Sequence, residues 1–213
     1  MKKQIIRIFI LAMIVSFASC TKNDDTTIVP VGTESYIDDI LNVIPDSTMH
    51  VFEAAFGAVP HGYIPANIEG EYVVAPKQRV ASSVVGWPLN PPEPEPNVTL
   101  RFSDQHNGVV RVELAEAAEQ TTDTAFIMGT GNAFTLYFVE NKSYEIPMTD
   151  TVHVNMERGV IIKGSVDDEG ISNLYFAVVI LGVEDDSNGT VPQYEPGTYF
   201  IYKDGDGKAS RLN

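Results

Sequence analysis

Val98-Thr99-Leu100-Arg101-Phe102-Ser103 alternates apolar and polar side chains from one residue to the next. The same period of two recurs at residues 110–114, 133–138 and 151–156. Successive side chains of a β-strand point to opposite faces, so these stretches predict strands with one buried and one solvated face. That pattern is typical of antiparallel sheet. The chain from about residue 67 onward is therefore predicted to be mainly β.

Turn-forming residues separate these strands at short intervals, and their spacing predicts how the strands connect. They are Asn107-Gly108, Gly129-Thr130-Gly131-Asn132, Arg158-Gly159, Glu169-Gly170, Asn188-Gly189 and Asp204-Gly205-Asp206-Gly207. Such spacing indicates an antiparallel up-and-down meander of eight to ten strands over residues 67–213. We expect the meander to close into a barrel, because closure removes exposed strand edges.

Two short helices are predicted before the sheet, as a helical hairpin over residues 34–60. Apolar residues recur at i, i+3, i+4 and i+7 within 37–44, and a second apolar stripe begins at Asp46 or the following serine and stops at Gly57. Leu174–Val183 is apolar on both faces of its predicted strand. We expect the two helices to pack outside the barrel and cover the outer face of that strand.

The N-terminus predicts export. Residues 1–19 are basic at the start and then apolar, over a run too short to span a bilayer, so they are predicted to be a signal peptide, with a membrane anchor as the alternative. Cys20 is the only cysteine, which excludes an intramolecular disulfide. Residues 17–20 resemble the lipobox of bacterial lipoproteins, and 21–25 resemble the acidic export signal of Bacteroidetes lipoproteins.

The lipobox resemblance implies a localisation. Cys20 would be lipidated, for example with palmitate, and would anchor the protein to the outer membrane through a polar tether over residues 20–33. The export signal implies that the domain faces the cell surface, with the periplasmic face as the alternative.

The charge balance limits the partners. Fourteen basic residues against 29 acidic residues give a formal net charge of −15. Nucleic acids require a basic footprint, and so does electrostatic binding to anionic lipid, so we expect neither. Insertion of acyl chains needs no such footprint.

Gly70-Glu71-Tyr72 opens the first long strand after the helical region, and Arg211 stands near the chain end. This arrangement resembles lipocalin-like (calycin-type) barrels, in which a Gly-x-Trp motif begins the first strand and a late basic residue packs over the aromatic ring. Tyr72 replaces the usual tryptophan. The chain is also similar to uncharacterised Bacteroidetes surface lipoproteins with lipocalin-like domains. The resemblance implies the fold of residues 67–213 and leaves the function open.

No catalytic motif is present: the sequence lacks Gly-x-Ser-x-Gly, His-Glu-x-x-His, a Walker loop and Cys-x-x-Cys. We therefore predict no catalytic residue and no obligatory cofactor. In a meander, the acidic turns at 167–169 and 204–207 fall at the same end, so their carboxylates could bind calcium. The alternative is solvated turns on an acidic protein. The candidate ligands of such a calcium site are Asp167, Asp168, Asp204 and Asp206.

Trp87 lies beside a proline-rich stretch, 88–96, that is predicted to be an extended loop. Its side chain could anchor a sugar ring or a protein partner, or the stretch could be a stiff connector. His153 on the polar face of a predicted strand is the second candidate for ligand contact, the alternative being an ordinary hydrogen-bonded histidine.

Our leading hypothesis is a non-catalytic cell-surface lipoprotein that binds a small molecule or glycan fragment in or on its barrel. The alternative is a structural or adhesive component with a packed barrel that binds a protein partner. Side-chain size on the inner face separates these hypotheses, because small barrels are either filled by side chains or hold one ligand. The predicted inner set is large, which favours a filled interior: Phe102, Leu114, Phe134, Phe138 and Met156.

Overall fold

The computed structural model describes residues 44, 46–59, 62–85, 89, 95–117, 119–146, 152–185 and 195–212. Cys20, Trp87 and most of the first predicted helix lie outside these residues. Within them, no helix is both long and apolar enough to cross a membrane.

The described residues form one helix followed by eleven strands. The helix is α1 (Asp46–Phe56). The strands are β1 (Tyr63–Ile64), β2 (Gly70–Val74), β3 (Lys77–Ser82), β4 (Val98–His106), β5 (Val109–Glu116), β6 (Glu119–Thr130), β7 (Ala133–Ile146), β8 (Val152–Val166), β9 (Gly170–Asp185), β10 (Tyr199–Asp204) and β11 (Lys208–Leu212). Two helices were predicted; one is present in the described part of the chain.

The strands pair as an antiparallel meander, which confirms the predicted topology. The pairing order is β11-β2-β4-β5-β6-β7-β8-β9-β10-β3, and β11 also pairs with β9. Hydrogen bonds therefore run in a ring through eight strands, with β10 and β3 continuing beside β9. The short β1 pairs with β6 in parallel. We call the face of the sheet that points into the ring the inner face.

Two predicted turns are wrong. Arg158 and Gly159 lie inside β8, opposite Ile180 and Val179 of β9. A Cβ at residue 159 would lie 3.0 Å from the Val179 side chain, so glycine here makes room on the outer face and does not form a turn.

Residues 204–207 do not form a hairpin, because β10 and β11 both run antiparallel to β9. The Asp204 carboxylate accepts hydrogen bonds at 3.1–3.2 Å from the backbone N–H groups of Asp206, Gly207 and Lys208. β10 and β11 thus pair with successive parts of β9, and the segment between them is a bulge.

The inner face is packed with apolar side chains contributed by all eight strands of the ring. Aromatic rings cross the interior: Tyr72 lies 5.8 Å from Phe102, and Phe102 lies 6.4 Å from Phe134, between ring centroids. The large residues predicted for the inner face are all buried. The part of the interior that they occupy is filled by side chains.

The outer face is covered by α1 at β9 and β10. Phe52 packs edge-on against Tyr199 at 6.1 Å, and Phe56 packs against Tyr175 at 5.7 Å. Val179 on β9 is fully buried beneath this layer. The prediction that a helix covers the outer side of Leu174–Val183 is confirmed for the second predicted helix.

The end of α1 is fixed from a distant strand. Gly57 follows the helix with φ of +76°, the left-handed conformation that suits glycine. Lys163 of β8 donates hydrogen bonds to the carbonyl oxygens of Phe56 at 2.6 Å, Gly57 at 3.2 Å and Ala58 at 2.7 Å. A cation at the C-terminal carbonyls of a helix is favourable, so this contact holds α1 on the sheet.

One end of the ring is closed by the chain before β2, and we call it the Arg211 end. Ile68 is fully buried there, and its carbonyl oxygen accepts a hydrogen bond from the Tyr72 hydroxyl at 2.9 Å. Arg211 donates to that hydroxyl at 2.6 Å and to the Glu69 carbonyl oxygen at 3.1 Å, and its guanidinium lies 4.9 Å from the Tyr72 ring centroid. The late basic residue thus packs over the aromatic of the first ring strand.

Candidate functional site

The acidic turns that were candidates for calcium lie side by side, but a lysine joins them. Lys208 Nζ lies 3.0 Å from Asp167 Oδ1 and 2.6 Å from Glu169 Oε2. Its hydrogen bond to Asp167 is the main cause that lowers the pKa of that carboxyl. Asp167 Oδ1 also accepts the backbone N–H groups of residues 169 and 170, both at 2.9 Å. Asp168 is exposed.

The other predicted calcium ligands serve the bulge. Asp204 is 2% exposed, and its second oxygen accepts the Ala75 backbone N–H at 3.0 Å. Burial raises the pKa of Asp204, whereas its hydrogen bond to Asp206 lowers the pKa of Asp206. Among the described residues, no three His, Cys, Asp or Glu side chains are arranged to hold a metal ion.

Of the two candidates for ligand contact, one lies among the described residues. His153 is exposed on β8 and lies opposite Glu145 of β7. Trp87 falls outside the described residues. The sequence-based candidates therefore define no binding site in the described part of the chain.

A different site is present at the opposite end of the inner face, which we call the Glu140 end. Glu140 and Arg158 lie directly opposite each other on β7 and β8, next to the buried pair Phe138 and Val160. Arg158 Nη2 donates to Glu140 Oε1, and its Nη1 donates to the Tyr144 hydroxyl at 2.6 Å. Glu140 is only 2% exposed. A charged layer therefore follows directly on the apolar core and is followed in turn by a small apolar cluster that includes Val154 and Met156.

Two neighbours complete this Glu140 cluster of Asp123, Glu140, Tyr144 and Arg158. Asp123 of β6 is half-buried; burial raises its pKa, and the Glu140 carboxylate raises it further. Burial also raises the pKa of Tyr144, which the Arg158 guanidinium partly offsets. The cluster thus combines two carboxyl groups with one guanidinium in a poorly solvated setting.

The walls of the ring separate beside this cluster. β6 and β7 are paired only over residues 126–130 and 133–137. Beyond this point, 119–125 remains paired with β5, and 138–146 with β8. The ion pair between Lys142 and Glu119 spans the divergence.

A second charged group, the Lys77 cluster, links β3 to Glu95 and to Glu116 of β5. Lys77 is paired with Glu116 and lies 3.2 Å from Glu95, which is also paired with Arg79. Both cations stand over the Tyr202 ring, Lys77 at 4.6 Å from its centroid. Burial and then the Glu95 carboxylate raise the pKa of Tyr202 to about 12. Every charge of this cluster therefore has an opposite partner.

Two buried polar atoms of the Glu140 cluster have no hydrogen-bond partner within the described chain, and Thr135 Oγ1 and Arg211 Nε elsewhere are in the same position. The two atoms of the cluster are Glu140 Oε2, an acceptor, and Arg158 Nε, a donor. Buried polar groups are almost always satisfied, so such a pair requires an explanation. A surface depression of about 490 Å³ between residues 83–85 and 195–198 contains neither atom.

Comparison of the chain with protein families, with curated proteins and with solved structures finds no match in any of the three.

Proposed function

We propose that this protein is a non-catalytic surface lipoprotein whose ring of strands is a lipocalin-like barrel that binds a small polar molecule, such as a glycan fragment, at its Glu140 end. Two observations support the barrel: the ring closes through β11, and Arg211 packs over Tyr72 at one end. A barrel of eight strands is just wide enough to be filled by side chains or to hold one small ligand.

The division of the interior carries the proposal for a polar ligand. Phe102, Phe134 and Phe138 are each at most 2% exposed and fill the region toward the Arg211 end. The charged layer at the Glu140 end has an acceptor and a donor without partners. A ligand at the charged end would therefore be held by hydrogen bonds. A lipid carrier would instead need an apolar cavity that buries its ligand.

The packed core also supports the second candidate, a structural or adhesive component that binds a protein partner. Under that function the interior would serve stability alone, and the partner would meet the outer surface or the Trp87 loop. Calcium at the acidic turns is outside both proposals, because Lys208 is paired with Asp167 and Glu169, and the Asp204 carboxylate accepts backbone N–H groups.

A glycan array probed with the fluorescently labelled mature protein separates these functions. We expect selective, saturable binding to a subset of glycans and none of comparable strength to an apolar dye such as 1-anilinonaphthalene-8-sulfonate. Arg158→Met should abolish the binding, whereas Lys208→Met, which removes a cation at the acidic turns, should leave it unchanged. Saturable dye binding with no glycan binding would contradict the proposal.

The lipid anchor has its own test. When cells grow with radiolabelled palmitate, we expect label in the wild-type protein and none in Cys20→Ala, because that cysteine is the acylation site. We also expect external protease to remove the domain from intact cells. A wild-type protein without label, or label that persists in Cys20→Ala, would refute the anchor; protection from protease would place the domain on the periplasmic side.

A further inference from the structure

We infer that the ligand of the Glu140 end is neutral and hydroxyl-bearing, and that one hydroxyl group bridges Glu140 Oε2 and Arg158 Nε. This inference rests on the proposed function and names the ligand class and the two atoms that recognise it. First, Arg158 Nη2 donates a hydrogen bond to Glu140 Oε1. Each of the two residues retains one buried polar atom without a partner, Glu140 Oε2 and Arg158 Nε.

The second step is the chemistry that satisfies both atoms. A carboxylate oxygen only accepts hydrogen bonds, and a guanidinium N–H only donates. A hydroxyl group donates through its proton and accepts through its oxygen, so it serves both atoms at once. An ammonium group would leave Arg158 Nε unsatisfied, and a carboxylate would leave Glu140 Oε2 unsatisfied.

The third step is the charge around these atoms. Arg158 is paired with Glu140, the Glu140 carboxylate acts on nearby Asp123, and Lys142 is already paired with Glu119. An anionic ligand would meet two carboxyl groups, whose mutual influence already raises the pKa of Asp123. A cationic ligand is excluded by hydrogen bonding, because an ammonium group cannot accept from Arg158 Nε. A neutral ligand satisfies both atoms without adding a negative charge, which favours sugars and other polyols.

The fourth step is access. The divergence of β6 from β7 places an interruption in the hydrogen-bonded wall beside Asp123 and Glu140. The ion pair across this interruption is formed by the side chains of Lys142 and Glu119. The interruption therefore offers a sugar ring a route to the two buried atoms along which side chains have to move but no backbone hydrogen bond is displaced.

The test is titration calorimetry combined with the ¹⁵N NMR signal of the Arg158 Nε–H group. The probes are cellobiose, maltose, xylobiose, N-acetylglucosamine and sorbitol, with spermidine and inorganic phosphate as charged comparators. We expect at least one neutral probe to bind and to shift the Arg158 signal. Glu140→Gln turns the free acceptor into a donor and should weaken that binding by about 10–100-fold. Lys208→Met should leave it unchanged.

The outcomes separate the inference from the proposed function. Neutral probes that bind without shifting the Arg158 signal, or equally well to Glu140→Gln, would overturn the hydroxyl bridge and leave glycan binding intact. Binding of spermidine or phosphate alone would overturn the neutral ligand class. No binding of any probe, together with a silent glycan array, would overturn both. If Glu140→Gln does not fold, the shift of the Arg158 Nε–H signal in the wild-type protein still tests the hydroxyl bridge. Sorbitol without the sugars would indicate an open-chain polyol and still support the hydroxyl bridge.

Discussion

Phe134→Ala is expected to lower the free energy of unfolding by about 3–5 kcal/mol. Phe134 is fully buried on the inner face of β7 and packs against Phe102. Its removal leaves a cavity that the closed ring of strands cannot collapse to fill, so the loss of apolar burial and the cavity both contribute. Urea denaturation followed by fluorescence measures the change.

Ile64→Ala is the control for this measurement, because Ile64 is 69% exposed and its truncation should change stability by less than about 0.5 kcal/mol. A loss below about 1 kcal/mol for Phe134→Ala would mean that the interior is already loosely filled. That result would contradict the packed core and return an apolar ligand to consideration.

Arg158→Met is expected to cost about 3 kcal/mol, because it leaves the Glu140 carboxylate buried without its cation. The value is at the lower end for buried pairs, since the Arg158 side chain is 15% exposed. The double variant Glu140→Leu/Arg158→Met should recover most of this loss, because it leaves no buried charge. Thermal and urea unfolding of the single and double variants measure both effects.

This comparison bears on function as well as stability. A double variant that is as stable as the wild type but binds no glycan would mean that the ion pair serves recognition. A double variant that is as unstable as Arg158→Met would mean that the pair is structural, and the proposed site would lose its main support.

The fold was largely predictable, because local patterns determine it. Alternation at Val98–Ser103 gave β4, and the apolar stripe that ends at Gly57 gave α1. The errors have a local origin too. Gly159 resembles a turn residue, but it makes room for the Val179 side chain, which lies twenty residues away in sequence. The bulge at 204–207 depends on pairing with β9, which no local motif encodes.

The Glu140 end was missed although a signal was available. Phe134, Leu136 and Phe138 are followed in the same phase by Glu140, Lys142 and Tyr144, so extending the alternation along β7 places charged residues on the inner face. What the sequence could not reveal is that Arg158 lies opposite Glu140, because a glycine after Arg158 suggested a turn. The separation of β6 from β7 is likewise a property of the closed ring.

A high-resolution crystal structure of the mature protein, grown without added ligand, tests the account most directly. We expect Phe102 and Phe134 to fill the interior toward Arg211, and a water molecule or a bound hydroxyl group to bridge Glu140 Oε2 and Arg158 Nε. A cavity above about 300 Å³ running past Phe134, with Glu140 and Arg158 turned toward solvent, would contradict the account.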